Sequence, residues 1–181
     1  WVVYMTPFEV RDCLSSMTVI YDTREQETAA LHRRLKSMQC PHKRQKLDSG
    51  DYSCECTLPN GIIYSLADKV VIERKMSADE ICSNFTRGRK RFVREFDRLK
   101  STGGKPYLLI ENTSWEDIFS GNYRSQLNPM ALVASLKAWE ARYGTHILFC
   151  TPKLTGQLIY KTLYYELKER LESGVVDELL Q

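Results

Sequence analysis

Three acids and one lysine in the first half of the chain sit where strands are expected to end or turn. Asp22 closes a β-branched run over 17–22, Asp51 precedes an alternating run over 52–58, Glu73 lies within 69–75, and Lys75 follows two positions later. Strand side chains two apart share a face, so Glu73 and Lys75 are expected to project side by side. Hard carboxylate oxygens are the ligands Mg²⁺ or Mn²⁺ prefer. Such an ion polarises a phosphoryl oxygen and acidifies a bound water. A neighbouring ammonium orients that water and offsets charge in the transition state. The set therefore suits phosphodiester hydrolysis. Taken alone, an acid and a lysine two apart also fit a solvated edge-strand pair, and the surrounding residues must decide.

The elements that would carry these groups follow from periodicity. Residues 17–22, 69–75, 106–111 and 145–150 are apolar runs of strand length. Residues 27–38 show helical spacing at Ala30, Leu31, Leu35 and Met38, stopped by Cys40-Pro41. A short edge strand is expected over 43–48. Strands over 52–58 and 61–66, joined at Pro59-Asn60-Gly61, lead into 69–75 as an antiparallel meander. A capping box at Ser77–Glu80 opens a helix to about Lys100 with Gly88 as its weak point. Short helical structure over 115–119, a helix from Asn128-Pro129 to Tyr143 and a last amphipathic helix over 155–172 complete the pattern. The order β, α, β-meander, α, β, α, β, α predicts an α/β sandwich with a central mixed sheet flanked by helices.

Bulk properties narrow the class. At 181 residues with 43% hydrophobic and 27% charged content, the chain suits one folded domain over 1–181. Its first ten residues include Glu9 and lack a basic segment, so no signal peptide is expected, and no apolar run approaches a membrane span of about 20 residues. A first residue of Trp rather than Met suggests a trimmed N-terminus. Six dispersed cysteines read as reduced thiols, which implies an intracellular setting: cytoplasmic, or nuclear in a eukaryote. Cys40-x-His42 with Cys54-x-Cys56 is spaced too tightly for a usual zinc knuckle, and no glycine-rich phosphate loop announces a nucleotide cofactor.

Around the acids the sequence resembles the nuclease domain of the XPF-type family of structure-specific endonucleases, in its stand-alone phage or bacterial form. Four blocks carry the resemblance in order: Asp22-Thr23-Arg24-Glu25, Gly50-Asp51-Tyr52, Val71-Ile72-Glu73-Arg74-Lys75, and Asp79 four residues on. Gly88-Arg89 and the strand at 107–110 also fall in place, and the likeness spans about 17–170. It implies a restriction-endonuclease-like fold and a Mg²⁺- or Mn²⁺-dependent endodeoxyribonuclease acting on flaps, forks or other branched DNA. By resemblance Asp22, Asp51 and Glu73 would be metal ligands, Lys75 would assist the water, Arg24 and Arg74 would support the site, and Asp79 would position its neighbours. Pairing of two copies through the C-terminal part of the domain is implied too. The last helix, with Leu158, Leu163, Leu167, Leu171, Tyr160 and Tyr164, carries more apolar surface than one face needs. Two departures stand out. The 22 positions from Asp51 to Glu73 exceed the family's usual spacing, which the hairpin at 59–61 would absorb if register is kept. No helix-hairpin-helix or helicase module is legible.

The whole chain carries only +3, yet Arg87, Arg89, Lys90, Arg91, Arg94, Arg98 and Lys100 crowd one predicted helix, against Glu95 and Asp97. The first five are the expected phosphate contacts; a solvated helix face is the plain alternative. A second function class stays open, a catalytically silent DNA-binding or scaffold domain, although the acids such a domain would lack are all present.

Overall fold

The computed structural model describes residues 4–174; the outer ends of the expected 1–181 domain lie outside the described residues. The chain runs α1 (Pro7–Ser15), β1 (Thr18–Tyr21), α2 (Ala29–Met38), β2 (His42–Arg44), β3 (Tyr52–Thr57), β4 (Ile63–Ser65), β5 (Val70–Lys75), α3 (Ala78–Phe85), α4 (Arg89–Ser101), β6 (Lys105–Glu111), α5 (Trp115–Ser120), α6 (Pro129–Tyr143), β7 (His146–Cys150) and α7 (Pro152–Ser173). The strands form one mixed sheet in the order β2-β1-β3-β5-β6-β7, with β4 paired to β3 off that path.

Alternation along the parallel strands sorts side chains to two cores. Val70, Ile72, Leu109 and Leu148 face one way, toward α1, α2 and α7. Leu108, Ile110, Ile147 and Phe149 face the other, toward α3, α4, α5 and α6. Burial on both faces is why β5 and β6 read as near-continuous apolar runs, whereas β7, at the sheet edge, is only half-buried. In the first core α2 and α7 meet backbone to backbone. A Cβ on Gly156 would lie 2.0 Å from Ser37 Oγ and 2.4 Å from the Arg34 carbonyl oxygen, so only glycine permits that approach.

Three expectations are corrected. The meander does not run in sequence order: β4 folds back on the far half of β3, and β5 pairs β3 directly at Tyr52↔Ile72. The hairpin is thus a side ribbon. The helix expected from 77 to 100 is two helices. Thr86 Oγ1 bonds back to the Cys82 and Ser83 carbonyls, closing α3, and Gly88 starts α4. Ahead of β1 lies a helix the periodicity did not reveal, α1, opened by a capping box between Thr6 and Glu9.

Candidate active site

The register of β3 against β5 decides where the acids point. The Asp51 amide donates to the Ile72 carbonyl at 2.9 Å, and Tyr52 pairs with Ile72, so Asp51 stands across from Glu73. Residues opposite each other in an antiparallel pair share a face. Both carboxylates therefore project toward α3 and α4, and the side ribbon costs no register. Gly50 makes the approach possible: it has φ +75°, and a Cβ there would sit 2.7 Å from Val71 Cβ.

Asp51, Glu73 and Lys75 line one cleft of about 290 Å³ with Arg24, Glu25, Asn84, Gly88, Arg91, Phe92 and Glu95. The Lys75 ammonium donates to Glu73 Oε1 at 2.8 Å and lies 5.3 Å from the centre of the Phe92 ring. The Arg74 amide donates to Asp51 Oδ2 at 2.7 Å. Among the described residues, Asp51 Oδ1 and Glu73 Oε2 take no hydrogen bond.

Burial pushes the Asp51 carboxyl well above the ordinary carboxylate range, and the charges of Glu73 and Glu25 push it further. Glu73 is raised as well: burial and Glu95 outweigh the help of Lys75. Lys75 moves up, because Glu73 and Asp51 hold its proton against the cost of burial. Two carboxyls facing each other with free oxygens and an ammonium beside them could hold either a proton or a further cation. The free donors are hard carboxylate oxygens, which fit Mg²⁺ or Mn²⁺.

Asp22 does not share this cleft. Its Oδ1 accepts the Leu47 amide at 2.8 Å, and its Oδ2 accepts the Arg24 amide at 3.1 Å and Arg24 Nε at 2.5 Å. Burial opposes its charge, but these bonds outweigh the cost and hold its pKa below the usual value. Among the described residues no three His, Cys, Asp or Glu side chains gather as a metal-holding cluster. The three converging ligands expected from sequence are thus a converging pair, with Asp22 behind them fixing Arg24. Arg24 Nη1 in turn reaches Glu95 Oε1 at 3.0 Å. The acids that enter the cleft unannounced are Glu25 and Glu95. Glu95 had a legible signal, since it lies on the inward stripe of α4 with Phe92, Phe96 and Leu99, where an unpaired charge would not be tolerated.

Other expected residues have separate placements. The Arg74 side chain leaves by the opposite face of the sheet and pairs with Glu111 through Nε. Asp79 lies outside the cleft; its Oδ1 accepts the Arg124 and Ser125 amides at 2.8 and 2.7 Å and so seats the 121–128 loop. Arg91 lines the cleft and Arg87 an adjoining depression. Lys90 and Arg94 are exposed. Arg89 folds over the Trp139 ring at 5.2 Å and bonds the Phe85 carbonyl, so packing occupies it. The six cysteines are free; burial raises the Cys56 thiol to about 12.

A mixed sheet flanked by helices, with these groups at its strand ends, is the restriction-endonuclease-like α/β fold. Within that class the chain belongs to the ERCC4 domain family, whose model matches residues 21–162. Among curated proteins none matches. Two solved structures share the fold. XPF from Aeropyrum pernix is 22% identical with a TM-score of 0.59, covering 82% of this chain and 61% of that one. The XPF of the same organism in complex with DNA is 24% identical with a TM-score of 0.58, covering 85% and 66%. The present chain thus spans less than two thirds of either. Among the described residues no helix is long and apolar enough to cross a membrane.

Proposed function

We propose that this protein is a divalent-metal-dependent endodeoxyribonuclease that hydrolyses phosphodiester bonds in branched DNA such as flaps and forks. One observation carries the reading: Asp51 and Glu73 stand across from each other in one cleft, with free oxygens and the Lys75 ammonium alongside. Asp51 and Glu73 would hold the ion, Mg²⁺ or Mn²⁺. When bound it supplies Lewis acidity toward the phosphate and lowers the pKa of water in the cleft. Lys75 keeps its proton, so it acts as a donor that orients water and offsets phosphate charge rather than as a free base. Arg24, pinned by Asp22 and Glu95, adds a fixed positive edge, and Arg91, Arg87, Lys90 and Arg94 meet the DNA backbone. The test is cleavage of a labelled flap, a fork and a linear duplex with Mg²⁺, with Mn²⁺ and with EDTA. Metal-dependent cutting that favours the branched forms is expected; equal cutting in EDTA overturns the reading.

The raised carboxyls give this reading a signature independent of turnover. A carboxyl whose folded pKa lies above its unfolded value favours the fold below the unfolded value, about 4, and loses that contribution as pH rises through the folded value. A metal that binds only the ionised pair restores it at the upper end. Differential scanning fluorimetry should therefore show little Mg²⁺ or Mn²⁺ stabilisation near pH 5 and a growing shift toward pH 8. At a hundredfold excess over Kd the gain is about 2.7 kcal/mol, or roughly 5–10 °C for a chain of this size. A shift that does not change with pH would separate metal binding from these acids.

Self-pairing is part of the proposal in altered form. Leu163, Leu167 and Leu171 are spent in the protein's own core, so the surplus expected of the last helix is smaller. What remains is a groove of about 580 Å³ between α1 and α7, lined by Met5, Val10, Leu14, Tyr160 and Tyr164 among others. Sedimentation velocity should show a concentration-dependent dimer that Tyr160→Glu with Tyr164→Glu disperses. A monomer mass at every concentration removes the idea.

A further inference from the structure

The candidate cleft uses one face of the sheet where β3 begins and β5 ends. On the opposite face lies a larger depression, about 940 Å³, walled by α2, the turn after β5, the end of β6 and the first turn of α7. The close α2–α7 contact at Gly156 brings two of those walls together.

Its lining is cationic. Arg33, Arg124 and Lys153 are exposed there, and among the described residues their side chains make no hydrogen bond or ion pair. Arg34 is tied to Tyr52 and Glu25. On the floor Arg74 meets Glu111 through Nε alone, and Glu111 Oε2 has no partner. An arginine in a bidentate pair would have spent its fork; this one keeps terminal N–H groups for another anion. The acids lining the depression, Asp79 and Glu111, are otherwise engaged by backbone amides and by Arg74. At α7 the cap residue Thr151 makes no side-chain bond to the first turn; Pro152 carries no N–H and the Leu154 amide donates to the Thr151 carbonyl at 2.9 Å, which leaves the Lys153 amide uncapped. Ser37, Ser77 and Asn112 add polar groups, and no aromatic ring lines the space. That chemistry suits phosphodiesters rather than stacked bases.

The depression also joins the other face. Asp79 seats the loop that places Arg124 between this depression and the one holding Arg87, and Arg91, one turn beyond Arg87, lines the cleft. Positive charge thus runs around the end of the sheet from the cleft to Arg33 and Lys153.

We propose that this groove binds the phosphate backbone of a second DNA arm, so that a branch is gripped from both faces of the sheet with the scissile phosphate between them. The inference rests on the nuclease reading for the position of the first arm. It is tested by fluorescence anisotropy of the full chain in EDTA, with a Y-shaped fork and a blunt duplex of equal length. Arg33→Glu with Lys153→Glu is expected to weaken fork binding at least ~10-fold and duplex binding less than ~2-fold, and to lower the fork's log–log salt slope by about 2. Arg33→Gln with Lys153→Gln should give the same order with smaller loss, which covers the case where charge reversal disturbs folding. Lys36→Glu with Lys161→Glu makes the same change in net charge at exposed positions that do not line the groove and should leave the fork preference intact. Equal losses on fork and duplex, an equal loss from the control pair, or no loss at all overturns the proposal. No metal or cleavage enters the measurement. A chain that never cuts but loses its fork preference keeps the groove and sinks the nuclease reading; one that cuts but binds the fork unchanged sinks only the groove.

Discussion

Asp51→Asn is expected to leave a folded protein, at least as stable as the parent without metal, that cleaves flap DNA ~10³-fold or more slowly in saturating Mg²⁺ or Mn²⁺. The two halves come from the same atoms. Asn keeps a carbonyl oxygen where Asp51 Oδ2 accepts the Arg74 amide, so the β3–β5 junction is retained. It removes a buried negative charge whose neighbours, Glu73 and Glu25, already hold its pKa up, so the metal-free fold loses repulsion rather than attraction. What disappears is one of two charged oxygen ligands. An ion's contribution to stabilising phosphoryl charge is several kcal/mol, and about 4 kcal/mol corresponds to roughly three decades of rate. Single-turnover cleavage paired with urea unfolding in EDTA reads both. Equal cleavage by parent and variant places the chemistry elsewhere, and a large loss of stability with the loss of rate reduces Asp51 to a structural role.

The cleft pair was legible because it depends on local facts: strand parity puts Glu73 and Lys75 on one face, and a glycine before Asp51 marks a backbone that cannot carry a side chain. The roles of Asp22 and Arg74 were not legible. Asp22 ends its strand as a ligand would, but whether its oxygens are free depends on where residues 45–47 return, and the Leu47 amide takes one of them. Arg74 stands between Glu73 and Lys75, so parity alone sends it to the other face; its destination depends on Glu111 at the end of β6, a partner no spacing announces. The same limit explains the strand order. Alternation shows which face of β4 and β5 is buried but not which strand each lies beside, and both claim one edge of β3. The break between α3 and α4 was signalled by Gly88, yet it is the Thr86 hydroxyl, competing for carbonyls at the end of α3, that closes the first helix.

Trp139→Ala should be among the most damaging substitutions far from the cleft, lowering unfolding free energy by about 3–5 kcal/mol. Trp139 is fully buried on α6, with Phe85, Tyr143, Phe92 and Phe96 at ring-centre distances of 4.8, 5.5, 5.7 and 6.1 Å. It therefore joins α3, α4 and α6 at one point. Its indole N–H has no partner, so Trp139→Phe forfeits no hydrogen bond and should cost about half as much or less; the contrast isolates packing from polarity. The effect should reach the cleft, because Phe92 lies between Trp139 and the Lys75 ammonium, and Glu95, one turn along α4, holds Arg24. Urea unfolding of the two variants measures the stability difference. Cleavage at low temperature, where Trp139→Ala remains folded, should show a further loss in kcat that Trp139→Phe largely restores. A loss under about 1 kcal/mol for the alanine variant would mean that α4 is seated over the carboxylates by the sheet alone, and the aromatic cluster would have no part in holding the roof of the cleft.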